Sequence, residues 1–143
     1  MKRMIFALLA VFGFSAGSMT PASSASLVAH IDVSSQTMTV SQSGQVLYNW
    51  KVSTGRNGYY TPRGTFRPQH LARMHYSRKY DNSPMPHSIF FRGGYAIHGT
   101  GAVKRLGTPA SHGCVRLHPS NAATLFSMTK QVGPKNVRIV ITN

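Results

Sequence analysis

Ser111-His112-Gly113-Cys114-Val115-Arg116 is the stretch on which the reading of the 143-residue chain turns. It carries the chain's one cysteine, one residue after a glycine and two after a histidine, with an arginine two residues beyond. The thiolate is the nucleophile, and a nearby imidazolium or guanidinium favours it. Cys114 is therefore a candidate nucleophile, with a pKa expected below that of a free thiol. Gly113 lets the backbone turn tightly and lets a substrate carbonyl approach the N–H groups of Gly113 and Cys114, which are candidate oxyanion donors. Ser111 is placed to hydrogen-bond nearby backbone or His112. Most free cysteines behave as small buried hydrophobes, but the polar neighbours of Cys114 favour the reactive reading.

Upstream, Ala96-Ile97-His98-Gly99-Thr100-Gly101 ends an apolar run with a histidine and then glycine-rich backbone. His98 lies 16 residues before Cys114, and Gly99, Gly101, Gly107 and Pro109 suit a loop that leaves and returns beside it. His98 is then a candidate general base for the thiol proton. Without Cys114 it would read as a histidine capping a strand end. A carboxylate to orient its ring would have to be Asp32 or Asp81, since the chain has no other. A backbone carbonyl is the alternative.

The charge balance narrows the chemistry further. Lys and Arg number 16 against 2 acidic residues, a formal +14. A glycosidase pair would need both aspartates at one site. A His-Glu-x-x-His zinc protease lacks its glutamate, and a calcium cage lacks anionic ligands. One cysteine allows neither an internal disulfide nor a thiolate-rich zinc site. Such a cationic chain is attracted to polyanions. Nucleic acid is not the expected partner, because no basic run has the length of a binding tail and the N-terminus reads as an export signal. The charge is expected either to hold the protein on an anionic envelope surface or simply to keep it soluble.

Met1-Lys2-Arg3 is basic, Met4 to Phe14 is an unbroken run of apolar residues and glycine, and Ser23-Ser24-Ala25 offers small residues before a cut. The apolar run falls short of the roughly 20 residues that span a bilayer. Residues 1–25 are expected to be a signal peptide cleaved before Ser26, leaving residues 26–143 as one domain with no transmembrane segment. The expected location is the periplasm, in association with the cell wall.

The remainder reads mostly as strands. Ser26–Val33, Gln36–Val40 and Val46–Val52 suggest a meander, the third segment being suited to a half-buried sheet. Thr61–Phe66 leads into a short strand, and Ser88–Phe91 and Tyr95–His98 flank a Gly93-Gly94 turn. Residues 68–88, rich in His, Arg, Tyr, Ser and Pro, read as a long surface loop. One helix is expected after Ser120 as N-cap, with Ala122, Leu125, Phe126 and Thr129 on one face and Gly133-Pro134 as its stop. Val137–Ile141 forms a last strand. The expected class is mainly β with one packed helix.

These segments together resemble bacterial L,D-transpeptidases. Tyr95-Ala96-Ile97-His98-Gly99-Thr100 and Ser111-His112-Gly113-Cys114-Val115-Arg116-Leu117 look like the family's active-site signature. Val52-Ser53-Thr54-Gly55 and Thr61-Pro62-Arg63-Gly64-Thr65-Phe66 are similar to two upstream stretches of the same catalytic domain, so the resemblance covers nearly all of residues 27–142. It implies a β-sandwich-like catalytic domain acting on peptidoglycan stem peptides, with no cofactor and no metal. Cys114 would be the nucleophile and His98 the proton donor and acceptor, its ring oriented by the Gly99 carbonyl. His112 and Gly113 would shape the oxyanion site with the Cys114 N–H, and Ser111 belongs to the same motif. Arg116, where many members carry Asn and others Arg, would contact the stem peptide or a carboxylate. Tyr80 and Phe91, at the ends of a variable lid segment, are candidate substrate contacts.

By the same resemblance, Cys114 would attack the carbonyl between a third-position diamino acid and D-alanine, and an amine would resolve the thioester. A neighbouring stem as acceptor gives a 3–3 cross-link, water gives an L,D-carboxypeptidase, and an envelope protein gives an anchoring enzyme. Carbapenem sensitivity is expected from the same acylation. The competing readings are a non-catalytic cationic wall-binding module with a sluggish thiol and, more remotely, a zinc site of His98, His112 and Cys114.

Overall fold

The computed structural model describes residues 26–143, so the expected signal peptide, residues 1–25, lies outside the described residues. Strands β1 (Leu27–Asp32), β2 (Thr37–Gln42) and β3 (Gln45–Lys51) form the expected antiparallel meander. The final strand β9 (Val137–Thr142) runs parallel beside β1, and the short β4 (Gly64–Phe66) pairs antiparallel with β9, giving the order β3-β2-β1-β9-β4. Period-two alternation sets which face is inward. Leu27, Ala29 and Ile31 of β1 and Val137, Ile139 and Ile141 of β9 are buried, while His30 and Arg138 between them are exposed.

A second sheet has the order β5-β6-β7-β8, built from His70–Ser77, Ser83–Arg92, Tyr95–Gly99 and Val115–Leu117. Its inward residues Ile89, Phe91, Ile97, Val115 and Leu117 share one core with the first sheet and with the apolar face of helix α1 (Pro119–Val132). The result is the mainly-β, sandwich-like architecture with one packed helix that the sequence led us to expect.

The face that α1 buries is the expected one: Ala122, Leu125, Phe126 and Thr129. Its start differs. His118, not Ser120, is the N-cap, and its Nδ1 accepts the Ser120 N–H at 3.3 Å. Pro119 occupies the first helical position, where a missing N–H costs nothing and the fixed φ is already helical.

Two further expectations change. Residues 68–88 are not a loop but most of a hairpin, β5 against β6. Their composition misleads because β5 is a sheet edge with its residues largely open to solvent, so no aliphatic alternation is needed. Pro84 and Pro86 are tolerated in β6 because β7 pairs only with Ile89 to Arg92, leaving the far part of β6 without a ladder on that side. Strand β3, expected to be half-buried, is an edge too: Val46 is 63% exposed, and only Trp50 is partly covered.

Phe91 is 1% exposed and its ring lies 5.2 Å from that of Phe66. Phe91→Ala is expected to lower the unfolding free energy by about 3–5 kcal/mol in urea titrations, the cost of a large cavity in the core.

Candidate active site

The parallel register of β7 and β8 sets Ile97 opposite Val115, His98 opposite Arg116 and Gly99 opposite Leu117. Alternation sends Ile97, Val115 and Leu117 into the core and turns His98, Cys114 and Arg116 to the other face. There they line a cleft of about 980 Å³, together with His112, Tyr80 and Phe90. The β5–β6 hairpin forms its outer wall. A parallel pair needs a crossover, and here residues 100–114 supply it.

That crossover is held turn by turn. Ala110 and Ser111 N–H groups both donate to Thr54 O, at 3.0 and 2.9 Å, and Gly107 N–H donates to Val52 O at 2.8 Å. Ser111 Oγ donates to Cys114 O at 2.6 Å and accepts the Gly113 N–H at 3.0 Å. Ser111 thus bonds backbone rather than His112, and the Gly113 N–H is already committed. Gly113 has φ +120°, and a Cβ there would come within 2.6 Å of the Tyr95 ring and 2.9 Å of Tyr60 O. Only glycine fits.

Three residues that the sequence reading passed over anchor this loop. Thr61 Oγ1 donates to Gly113 O and accepts the Gly55 N–H, both at 2.9 Å. Gln36, buried, gives its amide N–H to Thr54 Oγ1 and Val33 O and accepts the Thr54 N–H. Tyr59 meets the His112 ring edge-on at 4.6 Å. Thr61 lies in a stretch already marked by resemblance. Gln36, expected to open the second strand, lies instead in the turn before it and sends no sequence signal beyond its polarity.

His98 is buried, and its Nδ1 lies 2.7 Å from Gly99 O. A carbonyl oxygen only accepts, so Nδ1 carries the proton and Nε2 of the neutral ring keeps its lone pair. Burial holds the ring's pKa down at about 4, against 6.5 ordinarily, with the Arg116 and His75 charges adding and the Gly99 bond opposing. Cys114 is half-buried, its Sγ 3.8 Å from Gly94 O. Burial pushes its thiol up, outweighing the Ala96 backbone bond and the Arg116 charge. This corrects the expected depressed pKa: the arginine is present as foreseen, but loss of solvent exceeds its effect. The resting pair is a neutral thiol and a neutral imidazole.

Tyr80, from the hairpin tip, stacks on His112 at 4.0 Å with planes 7° apart. Asp81 and Asn82 adopt φ +52° to make that turn, a conformation these two residue types accept readily. His112 is held below its ordinary pKa by partial desolvation and then by the Arg56, Arg116 and Lys79 charges. Arg116 is half-buried and donates to Ala110 O at 3.3 Å. Phe91 does not reach the cleft. Its neighbour Phe90 does, packing with Met85 and Ala96 beneath Cys114. The strand's period of two separates the two phenylalanines, and a lid drawn as a loop does not reveal it. Among the described residues no group of three or more His, Cys, Asp or Glu is placed to hold a metal.

The depressed His98 pKa ties stability to pH. The ring is neutral in the fold, and the unfolded chain takes up a proton first as pH falls. Its contribution is therefore whole above pH 6.5 and is lost as pH drops toward 4. Urea titrations are expected to show about 3 kcal/mol less stability near pH 4 than at pH 7, with a shallower dependence in His98→Gln. The raised Cys114 pKa predicts that iodoacetamide at pH 6 modifies it more slowly than it modifies a free cysteine, so a sluggish thiol does not separate a catalytic cysteine from a wall-binding module.

The family model for the YkuD L,D-transpeptidase catalytic domain matches residues 26–141. No curated protein matches the chain. Among solved structures, an L,D-transpeptidase from Mycobacterium smegmatis is 28% identical with a TM-score of 0.74, covering 83% of this chain and 59% of that one. The L,D-transpeptidase LdtMt1 in complex with imipenem is 25% identical, TM-score 0.73, covering 82% and 59%. An L,D-transpeptidase from Xylanimonas cellulosilytica is 30% identical, TM-score 0.69, covering 86% and 63%. The chain thus spans about three-fifths of the length of these relatives. With the fold, the cleft and a match over residues 26–141 in agreement, the chain belongs to the L,D-transpeptidase catalytic-domain family.

Proposed function

We propose that the protein is an exported L,D-transpeptidase that cross-links peptidoglycan stem peptides through a thioester on Cys114. The observation that carries this reading is the bond from His98 Nδ1 to Gly99 O, which leaves Nε2 basic on the cleft face that also bears Cys114. A neutral thiol beside a neutral imidazole is suited to general-base attack, the proton leaving sulfur as the new bond forms. His98 takes the thiol proton while Sγ bonds the carbonyl carbon between the third stem residue and D-alanine. The oxygen becomes an oxyanion facing the Cys114 N–H, since the Gly113 N–H is held by Ser111. The carbonyl–nitrogen bond then breaks, His98 returns the proton to the departing D-alanine amine, and a thioester remains. An acceptor amine attacks it, gives a proton to His98, and releases the thiol.

Each remaining site residue has a place in this scheme. Arg116, a half-buried guanidinium with no carboxylate in the cleft to neutralise it, pairs with the carboxylate of the departing D-alanine. His112, clamped between Tyr80 and Tyr59, walls the oxyanion side, and Tyr80 contacts the stem. The family resemblance and the complex of a relative with imipenem support acylation of Cys114 by carbapenems. The reaction needs no cofactor.

The test is purified protein with a disaccharide-tetrapeptide, read by mass spectrometry beside Cys114→Ala. A dimer lacking one D-alanine is expected from the native protein, with activity down at least about a thousandfold in the variant. Tripeptide monomer alone would replace transpeptidation with carboxypeptidase activity. No product, and no carbapenem adduct on Cys114, would overturn the enzyme reading in favour of a wall-binding module.

A further inference from the structure

The cleft contains no acid. Its basic lining is Arg78, Lys79 and Arg116 with His75, His98 and His112, while neither of the two aspartates lines it. Asp32 sits at the far end of β1, its carboxylate accepting hydrogen bonds from Ser34 and Ser35. Asp81 occupies the hairpin turn in the left-handed conformation, exposed at the tip. Arg56 crowds the same region from across His112, where its guanidinium lies 5.0 Å over Tyr59. Like charges gathered in one region repel and are stabilised by an anion supplied from outside.

The two cations on the hairpin tip differ from Arg116. Arg78 and Lys79 are exposed, on the wall opposite β8, with Lys79 Nζ 5.5 Å from the Tyr80 ring that covers His112. A stem peptide whose D-alanine carboxylate meets Arg116 still presents side carboxylates along its length: that of a γ-linked glutamate and that of a dicarboxylic diamino acid. Conversion of those groups to carboxamides keeps size and shape and removes charge. The cleft has cations for the acid form and no carboxylate to accept the extra amide N–H donors.

Resting on the stem-peptide reading above, we infer that Arg78 and Lys79 make the site selective for stem peptides whose side carboxylates are free rather than amidated. Glutamine at both positions removes the charges and keeps the hairpin, since neither side chain carries a turn bond: those run between Ser77, Tyr80 and Ser83.

The experiment compares two disaccharide-tetrapeptides, free acid and bis-carboxamide, by calorimetric binding to Cys114→Ala protein and by kcat/KM for D-alanine release with active protein. Two exposed charge pairs, at Arg78 and Lys79, are expected to favour the acid about tenfold in Kd. That preference should shrink with added salt and fall toward unity in Arg78→Gln/Lys79→Gln. Equal affinities, a preference for the amide, binding of neither ligand, or selectivity that survives the double substitution would each overturn the inference. Acid-selective binding without D-alanine release from either substrate would instead sustain the charge selectivity and refute the transpeptidase reading.

Discussion

The parallel pairing of β7 with β8 governs the site. Two adjacent parallel strands cannot be joined by a tight turn, so the chain must travel through residues 100–114 before it returns beside itself. Every backbone group on that route needs a partner, and Thr54, Val52, Ser111 and Thr61 supply them. The pairing fixes which face His98 and Cys114 share, and the crossover bonds fix how the cysteine is presented. Gln36 extends the same bracing into the first sheet through Thr54. His98 and Cys114 are therefore braced by both sheets at once, although both belong to the second.

The parts of this arrangement written locally in the chain were legible from it. Cys114 and His98 stood out because their neighbours are glycines and polar residues, and because a glycine-rich interval of the right length separates them. The buried face of α1 was legible because a helix repeats its pattern every turn. What escaped was written in tertiary packing. The β5–β6 hairpin has no apolar alternation because one of its strands borders open solvent. The sequence places Phe90 and Phe91 side by side, and only the strand's pleat assigns one to the cleft and the other to the core. The Cys114 pKa went the other way from expectation for a similar reason. A neighbouring arginine is visible in the sequence, whereas the extent of burial depends on what the rest of the chain packs over it.

The polarity of the molecule follows a related logic. With so few acids, most cationic side chains have no carboxylate to pair with, and among the described residues the fold places them at surfaces and along the cleft rather than in the core. Solubility and attraction to an anionic partner would both be served by the same residue types, so composition alone could not separate them. Position does: Arg116 is half-buried in the cleft, whereas Lys51 is exposed on the edge strand β3.

The protonated state of Cys114 bears on the lifetime of the protein. Peroxides and other oxidants attack the thiolate, converting it to sulfenic acid and then to forms that cannot be recovered. A chain with a single cysteine has no internal resolving thiol to rescue the first of these as a disulfide. By keeping the sulfur protonated, burial withholds the vulnerable species from small oxidants. The cost is a smaller resting fraction of thiolate. The gain is a thiol that is not consumed while it waits.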